Sequence, residues 1–319
     1  MITKELIKDV TITILRRAET TLPSDVKEAL ARAYECEENE IAKVQLKVML
    51  ENVKLAEEMQ RPLCQDTGIP LFYVMLGSCS VNVNFNLTDI ESGIREGVKE
   101  ATKMIPLRPN VVNAITREGG EANVGDRIPY INYKIADIDG VGIMAFPKGG
   151  GSENVGAFTM LSPKPEEEAV KEIMNFVLDA VLRAAGKPCP PTIIGVGIGG
   201  SADIAMSLAK EVLLRPVGKR HKDARIARIE KELLDAVNNT GIGPMGLGGK
   251  TTALDLHIET ADTHITSLPV AINFQCWAAR KASAMIYSNG KVEYGEVLWV
   301  EKKRKDFKHQ NRDEARIFN

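Results

Sequence analysis

The stretch KPCPPTIIGVGIGGS, residues 187–201, decides the fold class. The apolar run from Thr192 to Gly197 predicts a short buried strand, and the glycines after it predict a turn. Ser201 predicts the cap of a following helix, and an amphipathic segment from Pro165 to Ala185 predicts a long helix before the strand. A strand between two helices indicates a mixed α/β protein. Cys189 would lie in a loop that three prolines make stiff.

The rest of the chain also contains predicted helices and predicted strands. Apolar residues recur at spacings of three and four from residue 2 to about 60, which predicts helices. Thr88 with Glu91 predicts a capping box, and Asp139-Gly140 predicts a hairpin turn between two β-like runs. We therefore predict a mixed α/β (α+β) fold, with a helical N-terminal lobe packed on mixed β-sheets and the functional site in loops at the sheet ends.

The predicted organisation is a single domain over residues 1–319. The helical lobe covers about 1–62, an α/β body covers about 63–300 and a charged C-terminal tail covers about 301–319. The polar composition of this tail is typical of a solvated segment, and a contact with a partner is the alternative.

Composition excludes several classes of function. The chain has 319 residues, a formal net charge of -2 and a pI near 6.2, and its basic residues are interspersed with acidic ones. We therefore expect no surface for a nucleic acid. The first residues show helical periodicity without a long apolar segment, so we expect neither a signal peptide nor a membrane span. The expected location is the cytoplasm.

Three of the five cysteines lie in unusual surroundings. Cys64 occurs in PLCQDTG, Cys189 in KPCPP and Cys276 in FQCW. Thiolates on a stiff backbone suit a soft metal, and a cluster held by only three of them keeps one iron open for substrate. The long separations and the lack of a C-x-x-C pair make spacing alone a weak argument. Cys36 and Cys79 lie outside this pattern, and we interpret them as structural thiols.

Glycine-rich segments leave a different class of function open. Gly195, Gly197 and Gly200 fit the G-x-G-x-x-G pattern, but no acidic residue follows near position 220. The segment from Gly243 to Thr251 fails the P-loop pattern because Pro244 replaces its first glycine. A nucleotide- or phosphate-binding module therefore remains an alternative. The backbone amides of Gly149–Gly151 could instead approach a carboxylate.

Four ordered motifs together resemble a known family. They are CQDTG from Cys64, KGGGSEN from Lys148, PCPP with GVGIGG from Pro188, and SLPVAINFQCW from Ser267. This combination resembles the α subunit of class I, iron–sulfur-dependent fumarate hydratases and L-tartrate dehydratases over nearly the whole chain. The resemblance implies a hydro-lyase with a 4Fe-4S cluster held by Cys64, Cys189 and Cys276.

The resemblance also implies roles for other residues. Gln65, Arg108 and the amide of Gly151 would bind substrate, while Asp66 and His264 would be polar or acid–base groups beside the open iron. That iron would act as a Lewis acid in the hydration of fumarate to L-malate, a reaction of the tricarboxylic acid cycle.

Single-chain members of the family continue into a second domain, so the resemblance implies that a separate β subunit completes the site. The assembly would be an α2β2 heterotetramer or an α homodimer. An L-tartrate dehydratase α subunit is the alternative within the same family.

Overall fold

The computed structural model describes residues 2–77, 86–120 and 122–295. The helices are α1 (Lys4–Thr20), α2 (Ser24–Cys36), α3 (Glu40–Met59), α4 (Leu87–Met104), α5 (Gly150–Glu153), α6 (Glu166–Ala184), α7 (Ala202–Glu211) and α8 (Ala224–Asn238). The strands are β1 (Ile69–Gly77), β2 (Tyr130–Ala136), β3 (Val141–Lys148), β4 (Ala157–Leu161), β5 (Thr192–Ile198), β6 (Ala253–Thr260), β7 (Leu268–Gln275), β8 (Ala282–Ile286) and β9 (Val292–Gly295). The predicted mixed α/β class is confirmed.

The first sheet has the strand order β2-β1-β3-β8-β9. β1 is parallel to β2 and antiparallel to β3, and the pairs β3–β8 and β8–β9 are antiparallel. Helices α1 and α4 cover this sheet, and Ile7 and Ile94 are fully buried with Val74 and Ile143 in one apolar cluster. The N-terminal helices therefore pack on a mixed sheet, as predicted.

The predicted hairpin at Asp139-Gly140 is wrong. β2 and β3 flank this turn in sequence, yet they do not pair with each other, because β1 lies between them. β1 is largely buried along its length, whereas β2 is mostly half-exposed or exposed. A strand buried on both faces favours a central place in a sheet, and the more polar strand takes the edge.

The second sheet has the order β4-β7-β5-β6, and only β5 and β6 are parallel among its described pairs. Helices α6 and α8 cover one face through Val177 and Leu233. Helix α7 lies on the other face, so close that a Cβ added to Gly195 or Gly197 would come within 2.1 Å of a carbonyl oxygen of α7. These glycines therefore allow a helix to contact the strand backbone.

Two predicted boundary signals also differ. Helix α4 is capped by Asn86, whose side chain accepts a hydrogen bond from the amide of Thr88, and not by Thr88 itself. Helix α6 ends at Ala184, one residue before the predicted end at Ala185, and Ala185 has a φ of 46°. Cys36 is exposed, so it is not a core thiol, and Cys79 and the tail at 301–319 lie outside the described residues. None of the described helices combines the length and apolarity needed to cross a membrane.

Candidate active site

The loops that follow Cys64 and Lys148 meet at one end of the first sheet. Ile69 begins β1 and is paired with Lys148 at the end of β3, so both loops leave the sheet at the same end of its strands. Asp66 joins them: its Oδ2 accepts a hydrogen bond from the amide of Gly150 at 2.8 Å, and its Oδ1 accepts one from the amide of Gly68 at 2.9 Å. The Nδ2 of Asn110 donates a weaker bond to the same Oδ1 at 3.3 Å. Hydrogen bonds from three separate positions therefore fix the Asp66 carboxylate.

Cys189 and Cys276 lie together at one end of the second sheet. Cys189 precedes β5 and Cys276 follows β7. Because Ile193 pairs with Gln275, the start of β5 and the end of β7 lie at the same end of the sheet. The amide of Trp277 donates a hydrogen bond to the carbonyl of Cys189 at 3.2 Å. Cys189 has a φ of 54°, a left-handed conformation that a non-glycine residue adopts only where its surroundings hold it.

The segment from Cys276 to Lys281 connects β7 of the second sheet to β8 of the first sheet. Within it, Arg280 donates a hydrogen bond through Nη1 to the carbonyl of Asp66 at 2.8 Å. From the first sheet, Lys148 donates through Nζ to the carbonyl of Phe274 at 2.5 Å. Arg280 thus connects the Cys276 loop with the Cys64 loop, and Lys148 connects the end of β3 with the end of β7.

The three thiols are close enough to influence one another. Burial raises the pKa of Cys189, and the neighbouring sulfurs of Cys276 and Cys64 raise it further. Burial also raises the pKa of Cys276, while Arg280 and Lys148 oppose this shift by favouring the thiolate. All three residues are partly exposed, and Cys276 also packs against the apolar cluster that contains Phe146 and Ile193.

Three cysteines and two buried polar side chains are the donor set that the structure offers to a bound group. Among the residues that the structure describes, no three ligating side chains lie close enough to hold one ion. A cluster has different demands, because each thiolate binds a different iron at the corners of a cage. Gln275 next to Cys276 has an amide with no hydrogen-bond partner among the described residues, and the buried Nε of Arg280 also lacks one there. Buried polar atoms of this kind indicate a group that they are placed to contact.

Lys148 and Arg280 were not predicted as site residues. Their side chains are 2% and 1% exposed. Burial lowers the pKa of Lys148 to about 8, although Glu153 and Cys276 oppose the shift. Arg280 forms a buried ion pair with Glu19 at 2.8 Å. Lys148 begins a motif that we singled out for its glycines, but no sequence signal connects Arg280 with Glu19, which is 261 positions away.

The predicted substrate-binding residues lie in or beside the loops that carry Cys64 and Cys189. Gln65 accepts a hydrogen bond from the Cys64 thiol at 3.5 Å through its Oε1. A Cβ on Gly151 would lie 3.0 Å from the carbonyl of Lys187, so glycine permits α5 to approach the Cys189 loop. Arg108 is exposed, and its amide donates to the Thr67 hydroxyl at 3.1 Å, which ties it to the CQDTG loop.

His264 lies at the opposite end of the second sheet. It belongs to the loop between β6 and β7, is exposed, and has its Nδ1 2.8 Å from the Thr266 hydroxyl. β7 begins after this loop and ends directly before Cys276. Eight residues of extended strand span roughly 23 Å, so the structure does not bring His264 to the three thiols within one chain.

Comparison with known proteins gives a consistent result. The family model described as fumarate hydratase (Fumerase) matches residues 8–285. The chain is 50% identical, over 90% of its length and 99% of the relative, to a Methanocaldococcus jannaschii protein whose name provisionally assigns it as L(+)-tartrate dehydratase subunit alpha. It is 32% identical, over 85% of its length and 87% of the relative, to L(+)-tartrate dehydratase subunit alpha of Escherichia coli K12.

The family model covers the four motifs and all the loops described above, and the relatives agree with the resemblance found in the sequence. The chain belongs to the class I fumarate hydratase and L-tartrate dehydratase family of hydro-lyases.

Proposed function

We propose that this chain is the α subunit of a hydro-lyase that reversibly hydrates fumarate to L-malate. It would use a 4Fe-4S cluster bound by Cys64, Cys189 and Cys276. The observation that carries the proposal is the convergence of three partly exposed thiols, from the ends of two different sheets, beside two buried cations. When bound, the cluster supplies a Lewis acid for the substrate hydroxyl, through an iron that has no cysteine ligand.

The residues of the chain would bind and orient the dicarboxylate. Arg108 is exposed at the rim and can form paired hydrogen bonds with one carboxylate. The amide of Gly151, in the first turn after β3, and the amide of Gln65 supply neutral donors. These donors come from different loops that Asp66 holds together, so their spacing is fixed before substrate binds.

Asp66 is the group on this chain that we propose for proton transfer. It follows the cluster ligand Cys64 by two residues, and its hydrogen bonds with two backbone amides and Asn110 hold its carboxylate in one position. A fixed carboxylate beside the substrate hydroxyl can accept or return a proton without reorganisation. Asp66→Asn would keep the shape of the side chain and remove this capacity.

His264 could contribute to the site only in an assembly. Because it lies at the far end of β7 from Cys276, its imidazole would have to come from a second chain. A separate β subunit is a further part of the proposal, supported by the names of relatives that are designated alpha subunits. We propose that β supplies the remaining groups that bind the substrate.

L-tartrate is the second candidate substrate. Both relatives compared above carry tartrate dehydratase in their names, which favours this substrate as much as the family model favours fumarate. The hydroxylated forms of both substrates carry two carboxylates and a hydroxyl on an adjoining carbon, so the same loops could bind either. A nucleotide-binding module has less support, because Gly195 and Gly197 have a packing role against α7.

The test is anaerobic co-expression of the full chain with its β subunit, followed by assays on fumarate, malate and L-tartrate. We expect Cys64→Ser, Cys189→Ser and Cys276→Ser each to lose bound iron and visible absorbance. Cys36→Ser, a matched change at an exposed cysteine on α2, should retain both. A colourless wild-type protein after anaerobic reconstitution, or equal iron in all four variants, would reject the proposal. The ratio of the fumarate and tartrate rates would then identify the substrate.

A further inference from the structure

Helix α3 has two apolar faces. One face, formed by Ala42, Leu46, Met49, Val53 and Ala56, is buried in the protein. The other is formed by Ile41, Val44, Val48, Leu55 and Met59, and each of these residues is more than half exposed. We call this second set the α3 stripe. A surface helix of a monomeric protein normally presents polar residues on the face away from the core, so the stripe requires an explanation.

Four of the five residues of the α3 stripe have a symmetric order along the helix. Val44, Val48, Leu55 and Met59 are separated by four, seven and four residues, so the pattern is the same in both directions. At about 100° per residue, these positions lie within a narrow sector of the helix surface. A surface with the same order in both directions can pair with a copy of itself across a two-fold axis.

The charges beside the stripe have the same kind of symmetry with opposite signs. Lys47, Glu51, Lys54 and Glu58 lie along one flank at spacings of four, three and four residues. Reversing the direction of the helix exchanges lysine for glutamate at every one of these positions. Their side chains are all at least 58% exposed, and the ion pairs that they form within α3 are long, at 3.8 Å. They are therefore able to pair with groups outside the chain.

The geometry of an antiparallel pair makes use of both patterns. When two helices related by a two-fold axis cross antiparallel, the same flank of each faces the other. Lys47 would then lie opposite Glu58 of the second copy, and Glu51 opposite Lys54, while the apolar stripes meet between them. The apolar pattern is centred between residues 51 and 52, and the charged pattern is centred between residues 52 and 53. The two centres of symmetry therefore differ by a single position.

We propose that the α3 stripe is a homodimer interface, in which α3 packs antiparallel against α3 of a second copy of this chain. The occupant is a second copy because the apolar pattern and the charges are both self-complementary. A different protein would have no reason to require such symmetry. The inference concerns assembly and does not depend on the substrate or the cluster.

The first experiment measures the oligomeric state of the full-length chain by sedimentation equilibrium over a range of concentrations. We expect a dimer. Val48→Glu places a charge at one of the two inner positions of the symmetric pattern in both copies and should weaken dimerisation roughly 100-fold, as expected when a hot spot is lost. Leu182→Glu is the matched control: Leu182 is 55% exposed on α6, compared with 53% for Val48 on α3, and its change should leave the dimer intact.

The second experiment tests orientation by charge reversal. Lys47→Glu and Glu58→Lys should each weaken the dimer about tenfold, because each contact occurs twice across the two-fold axis. The double variant should restore dimerisation, since the charges at positions 47 and 58 are again opposite in sign. Both single changes also create like-charge pairs within α3, and the double variant keeps them. Restoration can therefore come only from contacts between copies, and circular dichroism verifies that all variants fold.

Three results would overturn the proposal. One is a wild-type chain that remains monomeric up to the highest concentration. Another is a dimer that Val48→Glu leaves unchanged. The last is a stripe whose amides gain protection from hydrogen exchange only when the β subunit is added, which would assign this face to the heteromeric contact.

Discussion

The buried pair of Glu19 and Arg280 predicts an unusual dependence of stability on pH. Burial raises the pKa of Glu19 to about 7, although Arg280 opposes the shift and Asp66 adds to it. The native state therefore binds a proton more tightly than the unfolded chain, in which the carboxyl has its ordinary pKa of 4.5. This stabilisation is complete below pH 4.5 and is lost as the pH rises through about 7.

Its magnitude follows from the two pKa values. A difference of about 2.5 units corresponds to roughly 3 kcal/mol, at about 1.4 kcal/mol per unit. Glu19→Gln keeps the size of the side chain and cannot ionise, so it should remove this contribution to the pH dependence. The change should also cost stability at neutral pH, because it leaves the Arg280 guanidinium buried without a carboxylate.

Urea unfolding of the cluster-free chain, followed by circular dichroism between pH 4.5 and 8, measures this effect. Relative to wild type, the free energy of unfolding of Glu19→Gln should fall less, or rise more, as the pH increases. Glu28→Gln, an exposed position on α2, serves as the control and should follow wild type. If Glu19→Gln and wild type show parallel curves across this range, Glu19 does not titrate near pH 7 and the reasoning is wrong.

Three further predictions concern other parts of the molecule. His257 is fully buried, its ring nitrogens have no hydrogen-bond partner among the described residues, and burial lowers its pKa well below 6.5. The stability that neutral His257 contributes is present above pH 6.5 and is lost as the pH falls. His257→Leu should therefore unfold less readily in acid than wild type, and urea titration at pH 5 measures the difference. Gly197→Ala should lower the free energy of unfolding by about 1–3 kcal/mol, because the new Cβ would lie 2.1 Å from the carbonyl of Ala205. Gly119→Ala is the control and should lower it less, because the nearest atom to its Cβ is 3.4 Å away. Equal losses would contradict the packing role of Gly197. Lys148→Met should lower the melting temperature of the cluster-free chain, because the Phe274 carbonyl and the Ser152 hydroxyl lose their buried donor; an unchanged melting temperature would show that these bonds contribute little.

Local sequence signals predicted much of the secondary structure and the identity of the site motifs. The spacing of apolar residues predicted the helical region that holds α1 to α3, and it placed β5 and α6 within one position of their observed bounds. Glycines and prolines around the cysteines indicated stiff loops, and the positive φ of Cys189 agrees with that interpretation. Such signals are reliable because they depend on neighbours in sequence, whose spacing the helix or strand geometry fixes.

Strand pairing was decided by tertiary structure. Asp139-Gly140 is a favourable hairpin turn, yet β1 separates its two flanking strands. Burial of β1 on both faces outweighs the local preference of the turn, and burial depends on residues far away in sequence. For the same reason, the number of residues between His264 and Cys276 did not predict that they lie at opposite ends of the sheet.

By itself, the sequence determined that the chain mixes helices with strands, that three cysteines lie in rigid loops and that the family is one of hydro-lyases. Only the tertiary structure decided which loops meet, and it placed Arg280 against Glu19 and Asp66, and Lys148 beneath the Cys276 loop. It also left the α3 stripe exposed. The physical reason is that a buried charge or an uncovered apolar face depends on what surrounds it in space, which the spacing of residues along the chain does not record.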